Sequence, residues 1–172
     1  MKKAIFASIT IFCCFLLQTT LFAMFGIGGI RPNLLIIATA SLGFLCGKKT
    51  GIYTGFFSGL LIDVCFRSVY GTNALIYMYV GYSCGMLKKV LFPKDIKLPM
   101  LFIAVSDIVY NLLYYFFYFL FRGKFDLLYY FQHIILPEVV YTTLMACILY
   151  PVIHFAVNRI EAPEKKGEQT IV

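Results

Sequence analysis

The chain has 172 residues, of which 61% are hydrophobic and 13% charged. Soluble domains average about 45–50% apolar and about 25% charged, and a soluble fold of this size exposes too much surface to hide the excess, so an ordinary soluble domain is excluded. The net charge of +7 comes from 15 Lys and Arg against 8 Asp and Glu, and the cations sit in pairs between apolar runs, as topology signals do and nucleic-acid surfaces do not.

A membrane span needs about 20 apolar residues, within a range of about 17–25. The first predicted span covers residues 4–23, after Lys2 and Lys3. Its apolar stretch exceeds a signal-peptide core and no A-x-A site follows, so it reads as a retained helix. The second covers 32–46, with Pro32 suited to a helix start. It is short, hence tilted or sunk in protein. The third covers 50–66, the fourth 73–87, the fifth 98–121 and the sixth 136–157. Between the last two, residues 122–135 are too short to span and too apolar for a free loop, so an interfacial helix on the outer leaflet is expected. Residues 161–172 are polar, contain Pro163 and Gly167, and are expected to be a disordered cytoplasmic tail.

The fold class expected is therefore all-α, a single polytopic domain over residues 1–160 with six transmembrane helices and both termini in the cytoplasm. Charge tests this division. With the N-terminus inside, Lys2, Lys3, Lys48, Lys49, Lys88, Lys89, Lys94, Lys97, Arg159, Lys165 and Lys166 face the cytoplasm, and Arg31, Arg67, Arg122 and Lys124 face out. The positive-inside rule predicts this asymmetry, and an odd number of spans would spoil it. The six cysteines show no disulfide or metal spacing and read as small apolar helix residues.

Glycine is the first specific signal. Gly43, Gly47, Gly51, Gly55 and Gly59 recur every four residues, and Gly81 and Gly85 repeat the device on the fourth helix. Gly51, Gly55 and Gly59 form one smooth stripe that lets another backbone approach closely. The stripe serves either internal packing or docking of a partner's helix, and spacing alone does not separate the two.

Acidic residues in the spans are the second signal, because ionisable groups there are costly and face protein or water. Asp63 sits near the outer end of the third helix, and Glu138 begins the sixth. Asp107 lies ten residues into the fifth, roughly 15 Å deep by helical rise. Asn111 is one turn away, with Tyr110, Tyr114 and Tyr118 nearby. This polar ribbon reads as a clasp bonded to a neighbouring helix, with a proton or ligand site as the competing reading. Ion pairs of Asp63 and Glu138 with Arg31 and Arg67 are plausible at the outer face, against arginines that simply snorkel. Residues 43–50 imitate a phosphate loop with the wrong spacing, and His133 and His154 are too far apart to seed a metal site. No catalytic, cofactor or metal site is expected.

Several stretches resemble the bacterial rod-shape-determining MreD family. They are Arg31-Pro32-Asn33-Leu34-Leu35, Gly55-Phe-Phe-Ser-Gly59-Leu60-Leu61-Ile62-Asp63, Gly71-Thr-Asn73-Ala74-Leu75-Ile-Tyr77 and Gly81-Tyr82, with Tyr150-Pro151 a weaker echo. Residues 51–85 carry most of the likeness. The resemblance implies a non-enzymatic membrane subunit of the cell-elongation machinery that helps guide lateral peptidoglycan synthesis. It implies an MreC-like bitopic partner, together with MreB, RodA and a class B penicillin-binding transpeptidase. It also implies a helical architecture like that of substrate-binding subunits of energy-coupling-factor (ECF) vitamin transporters. The runner-up function, such a transporter subunit, would need a pocket in the outer half of the bundle, lined by Asp63, Asn73, Glu138 and the tyrosines. The cytoplasmic lysines are expected to attract anionic membrane lipids.

Overall fold

The computed structural model describes residues 2–24, 30–66, 71–88, 97–118 and 127–168, and these are almost entirely helical. The elements are α1 (Lys2–Met24), α2 (Leu34–Cys46), α3 (Lys48–Phe66), α4 (Thr72–Leu87), α5 (Lys97–Tyr118), a single turn α6 (Leu127–Tyr130), a π-helical segment (Phe131–Ile135) and α7 (Leu136–Glu168). The order matches the six apolar segments of the sequence.

Length divides these helices into two classes. Stretches of α1, of α5 and of the run from the π segment through α7 are long and apolar enough to cross a membrane. The 13 residues of α2 and 16 of α4 rise only about 20 and 24 Å, against a hydrocarbon core of about 30 Å. Protein surrounds the shorter one, α2, whereas α4 keeps one side open at Leu75, Tyr79, Tyr82 and Met86. Every residue from Leu34 to Leu45 is buried, and α2 packs against α1, α3, α4, α5 and α7. It is the central rod of the bundle, sunk in protein as its length suggested.

The tightest pairing is α3 with α4. A Cβ added at Gly51 would lie 2.8 Å from the Gly81 carbonyl carbon, and one at Gly55 would lie 2.6 Å from that of Tyr77. One at Gly59 would meet the Ala74 backbone, and one at Gly85 would sit 2.6 Å from Lys48 Cα. Gly43 brings α2 into the same seam, where a Cβ would lie 2.8 Å from Gly81 O. The five glycines, for which internal packing and a partner helix were both open, are occupied by the chain's own packing: Gly51, Gly55 and Gly59 of α3 face Gly81, Gly85 and the backbone of α4. Backbone-to-backbone approach at this range leaves no room between α3 and α4 for another protein's helix.

The bundle's two ends are distinct. Lys3 and Phe6 of α1 share a small cleft with Cys46 of α2 and with Val157 and Ile160 of α7. Lys88 donates to the Leu45 carbonyl at the end of α2. The N-terminus of α1 and the region around residue 160 therefore lie at one end, the one expected from the charge pattern to face the cytoplasm. Arg31, Asn33, Phe66, His133 and Glu138 gather at the other.

Three expectations need correction. Pro32 lies outside α2, whose N-cap is Asn33. No separate interfacial helix occupies the described part of 122–135. The backbone stays in the right-handed helical region at Tyr130 and Leu136, so the π segment runs directly into α7; residues 122–126 lie outside the described residues. Finally, α7 continues through Glu168 where a disordered tail was expected from residue 161, and residues 169–172 lie outside the described residues. Propagating an existing helix is cheap.

Candidate functional site

A helix that begins inside a bundle must satisfy its first N–H groups with protein, because the bilayer core offers no water. Both short helices meet this demand with side chains. At the start of α2, Asn33 N–H donates to Thr142 Oγ1 of α7 at 3.1 Å. Leu35 N–H donates to Gln18 Oε1 of α1 at 3.2 Å, and Ile36 N–H donates to Asn33 Oδ1 at 3.3 Å.

At the start of α4, one carboxylate takes three backbone N–H groups. Asp63 Oδ2 accepts from Gly71 N–H and Ala74 N–H, both at 3.0 Å. Asp63 Oδ1 accepts from Asn73 N–H at 3.3 Å and Asn73 Nδ2 at 2.9 Å. Gly71, with φ of 93°, turns the chain back in a conformation that disfavours side chains. Asp63 therefore tethers α3 to α4, with negative charge at a helix N-terminus where the dipole favours it. The expected pairing with Arg67 falls outside the described residues.

Asn73 and Asn33 then link to tyrosines. Tyr110 OH of α5 donates to Asn73 Oδ1 at 3.2 Å, and Tyr77 OH of α4 donates to Asn33 Oδ1 at 2.7 Å. The two rings meet edge to face with centroids 5.0 Å apart. The chain Asp63–Asn73–Tyr110 and the pair Tyr77–Asn33 join α2, α3, α4 and α5 at one depth. Fully partnered buried polar networks of this kind specify a single packing.

These tyrosines form part of the wall of a cavity of about 670 Å³. Gln18, Arg31, Asn33, Tyr129, His133 and Glu138 add polar groups, and Ile30, Ile62, Phe66 and Ile134 supply apolar surface. The π segment carries His133 and Ile134 into this wall; such segments recur at functional sites. His133 stacks on Tyr129 with centroids 4.3 Å apart. On the charge-derived topology the cavity lies at the outer end. Of the residues expected to line a pocket there, Glu138 and Tyr110 do so, whereas Asp63 and Asn73 stand behind the wall as structural partners.

Asp107 behaves differently. It is fully buried on α5, and among the described residues neither carboxyl oxygen has a hydrogen bond of ordinary length. Thr142 of α7 lies beside it; its Oγ1 accepts from Asn33 N–H, which leaves the hydroxyl proton to turn toward the carboxyl. Asn111 turns its amide onto the Asp107 main-chain carbonyl at 3.1 Å and lies against Glu138. Asp107 beside Thr142, and Asn111 beside Glu138, set polar groups of α5 against polar groups of α7 where the clasp was expected. The sequence reading missed Gln18 and Thr142. Each is a polar residue interrupting an apolar run, the signal that could have found them.

Among the described residues, no group of three or more His, Cys, Asp or Glu could hold a metal ion. The family model described as "rod shape-determining protein MreD" matches residues 2–160. No curated protein and no solved structure matches the chain.

Proposed function

The chain belongs to the MreD family of rod shape-determining proteins, and from that premise we propose that it is a non-enzymatic, multi-pass subunit of the bacterial cell-elongation complex in the cytoplasmic membrane. The observation that carries this reading is the family match over nearly the whole chain. The subunit would cross the membrane six times, the short α2 traversing with protein around it. It would help organise lateral peptidoglycan synthesis by holding membrane partners: an MreC-like bitopic protein first, then MreB, RodA and a class B penicillin-binding transpeptidase. Because the glycine seam is filled internally, partner contacts fall on outward faces. One such face is the i, i+4 row Leu136, Val140, Leu144, Ile148 and Val152 of α7, each 49–64% exposed. Membrane helices associate through such faces by packing.

The test is affinity purification of the tagged chain from native membranes, alongside depletion. Recovery of an MreC-like protein and rounding of depleted cells are expected. Rod-shaped depleted cells with no such partner recovered would overturn the reading. The cavity meets one requirement of the vitamin-transporter alternative. Co-purification with a transporter ATPase would be the result that favours it.

A further inference from the structure

We propose that the outer-end cavity binds a zwitterionic headgroup of the phosphoethanolamine class, a primary ammonium and a phosphodiester held together. The inference does not rest on the shape-determining role, and either can fail alone.

The volume of about 670 Å³ falls within the range of about 300–1,000 Å³ usual for small-molecule sites. Among the described residues the wall carries one strongly basic side chain, Arg31, and one acidic side chain, Glu138. Among the described residues no ion pair joins them, so each remains available to a ligand of opposite charge.

The hydrogen-bond inventory gives the site its polarity. Tyr77 and Tyr110 have committed their hydroxyl protons to Asn33 and Asn73, so their oxygens can only accept. With the Glu138 carboxylate they make an acceptor-rich wall, which a three-donor ammonium satisfies and a quaternary ammonium does not. On the other side of the ledger stand donors. Gln18 has committed its carbonyl oxygen to Leu35 N–H, leaving its amide N–H groups, and Arg31 presents a guanidinium suited to a phosphate. Apolar side chains in the same wall, Ile62 and Phe66 among them, accommodate the start of an acyl stem. The cavity's place at one end of the bundle puts it level with lipid headgroups.

Native mass spectrometry of the detergent-purified protein tests this with four probes: dihexanoyl phosphatidylethanolamine, its phosphatidylcholine and phosphatidylglycerol counterparts, and glycerophosphoethanolamine. The ethanolamine lipid is expected to be retained about tenfold or more over the other two lipids, the scale of a charge-assisted hydrogen-bond set. Glu138→Gln should erase the preference for ethanolamine over choline, and Arg31→Gln should weaken all three lipids. Leu101→Ala, on the exposed side of α5, should change nothing. Should Glu138→Gln not fold, the lipid comparison on the unaltered protein and the Arg31→Gln variant decide. Glycerophosphoethanolamine binding as tightly as the lipid would support the chemistry and identify a soluble source, and binding of the lipid alone would identify the membrane. Equal retention of the three lipids, or a preference untouched by Glu138→Gln, overturns the proposal.

Discussion

Consider Gly55→Val in the α3–α4 seam. A Cβ at this position would sit 2.6 Å from the Tyr77 carbonyl carbon and 2.7 Å from Met78 Cα. Carbon atoms pack best at about 3.5–4.0 Å, so the helices must separate by about 1 Å before the Val methyls are counted. The obstacle is backbone, which no rotamer change can move aside. Overpacking of this kind costs about 1–3 kcal/mol, and a separation propagated to Gly51 and Gly59 puts the loss at the upper end, about 3 kcal/mol. The better helix propensity of Val over Gly offsets only a few tenths of this, about 0.3 kcal/mol. Equilibrium unfolding in mixed micelles with increasing dodecyl sulfate measures it, with Leu60→Val on the outward side of α3 as a control expected to lie within about 0.5 kcal/mol of the unaltered protein. Normal stability of Gly55→Val combined with loss of partner co-purification would refute the argument, because it would mean the stripe faces another protein.

Asp63→Asn removes one acceptor oxygen and turns an amide toward backbone N–H groups, so α4 should lose about 2–3 kcal/mol of capping; amide exchange at Gly71, Asn73 and Ala74 should rise ahead of the rest. Tyr77→Phe deletes the 2.7 Å bond to Asn33 and should cost about 1–2 kcal/mol by the same unfolding assay. Asp107→Asn keeps a polar side chain beside Thr142, and neutral replacements at buried ionisable sites are often harmless or stabilising. Its melting temperature should equal or exceed that of the unaltered protein, and a fall of several degrees would reveal a partner for the carboxyl. Protease added outside intact cells should spare a C-terminal tag; cleavage would mean an odd number of crossings.

Hydropathy located all six principal helices because 3.6-residue winding and bilayer thickness impose simple lengths on apolar runs. The glycine spacing was equally plain, but a period says which residues share a face and not what that face meets. Only the positions of Gly81, Tyr77 and Ala74 across the seam decide it. Asp63 was recognisable as costly. Its partners were not, since three of the bonds it accepts come from backbone N–H groups eight to eleven residues on, and backbone groups leave no mark in sequence. Thr142 capping α2 across 109 positions is more remote still. The helical course of residues 161–168 was missed because Pro163 and Gly167 were weighed as breakers without the helix already running into them.

The burial of α2 on every side has a consequence for biogenesis. A thirteen-residue rod whose first amides are held by Gln18 and Thr142 has no stable resting place in lipid when it leaves the ribosome. Its second anchor is synthesised last, in α7. Nascent chains halted before residue 142 should therefore leave this segment loosely inserted and open to quality-control proteases, and settling of the centre should await the final helix.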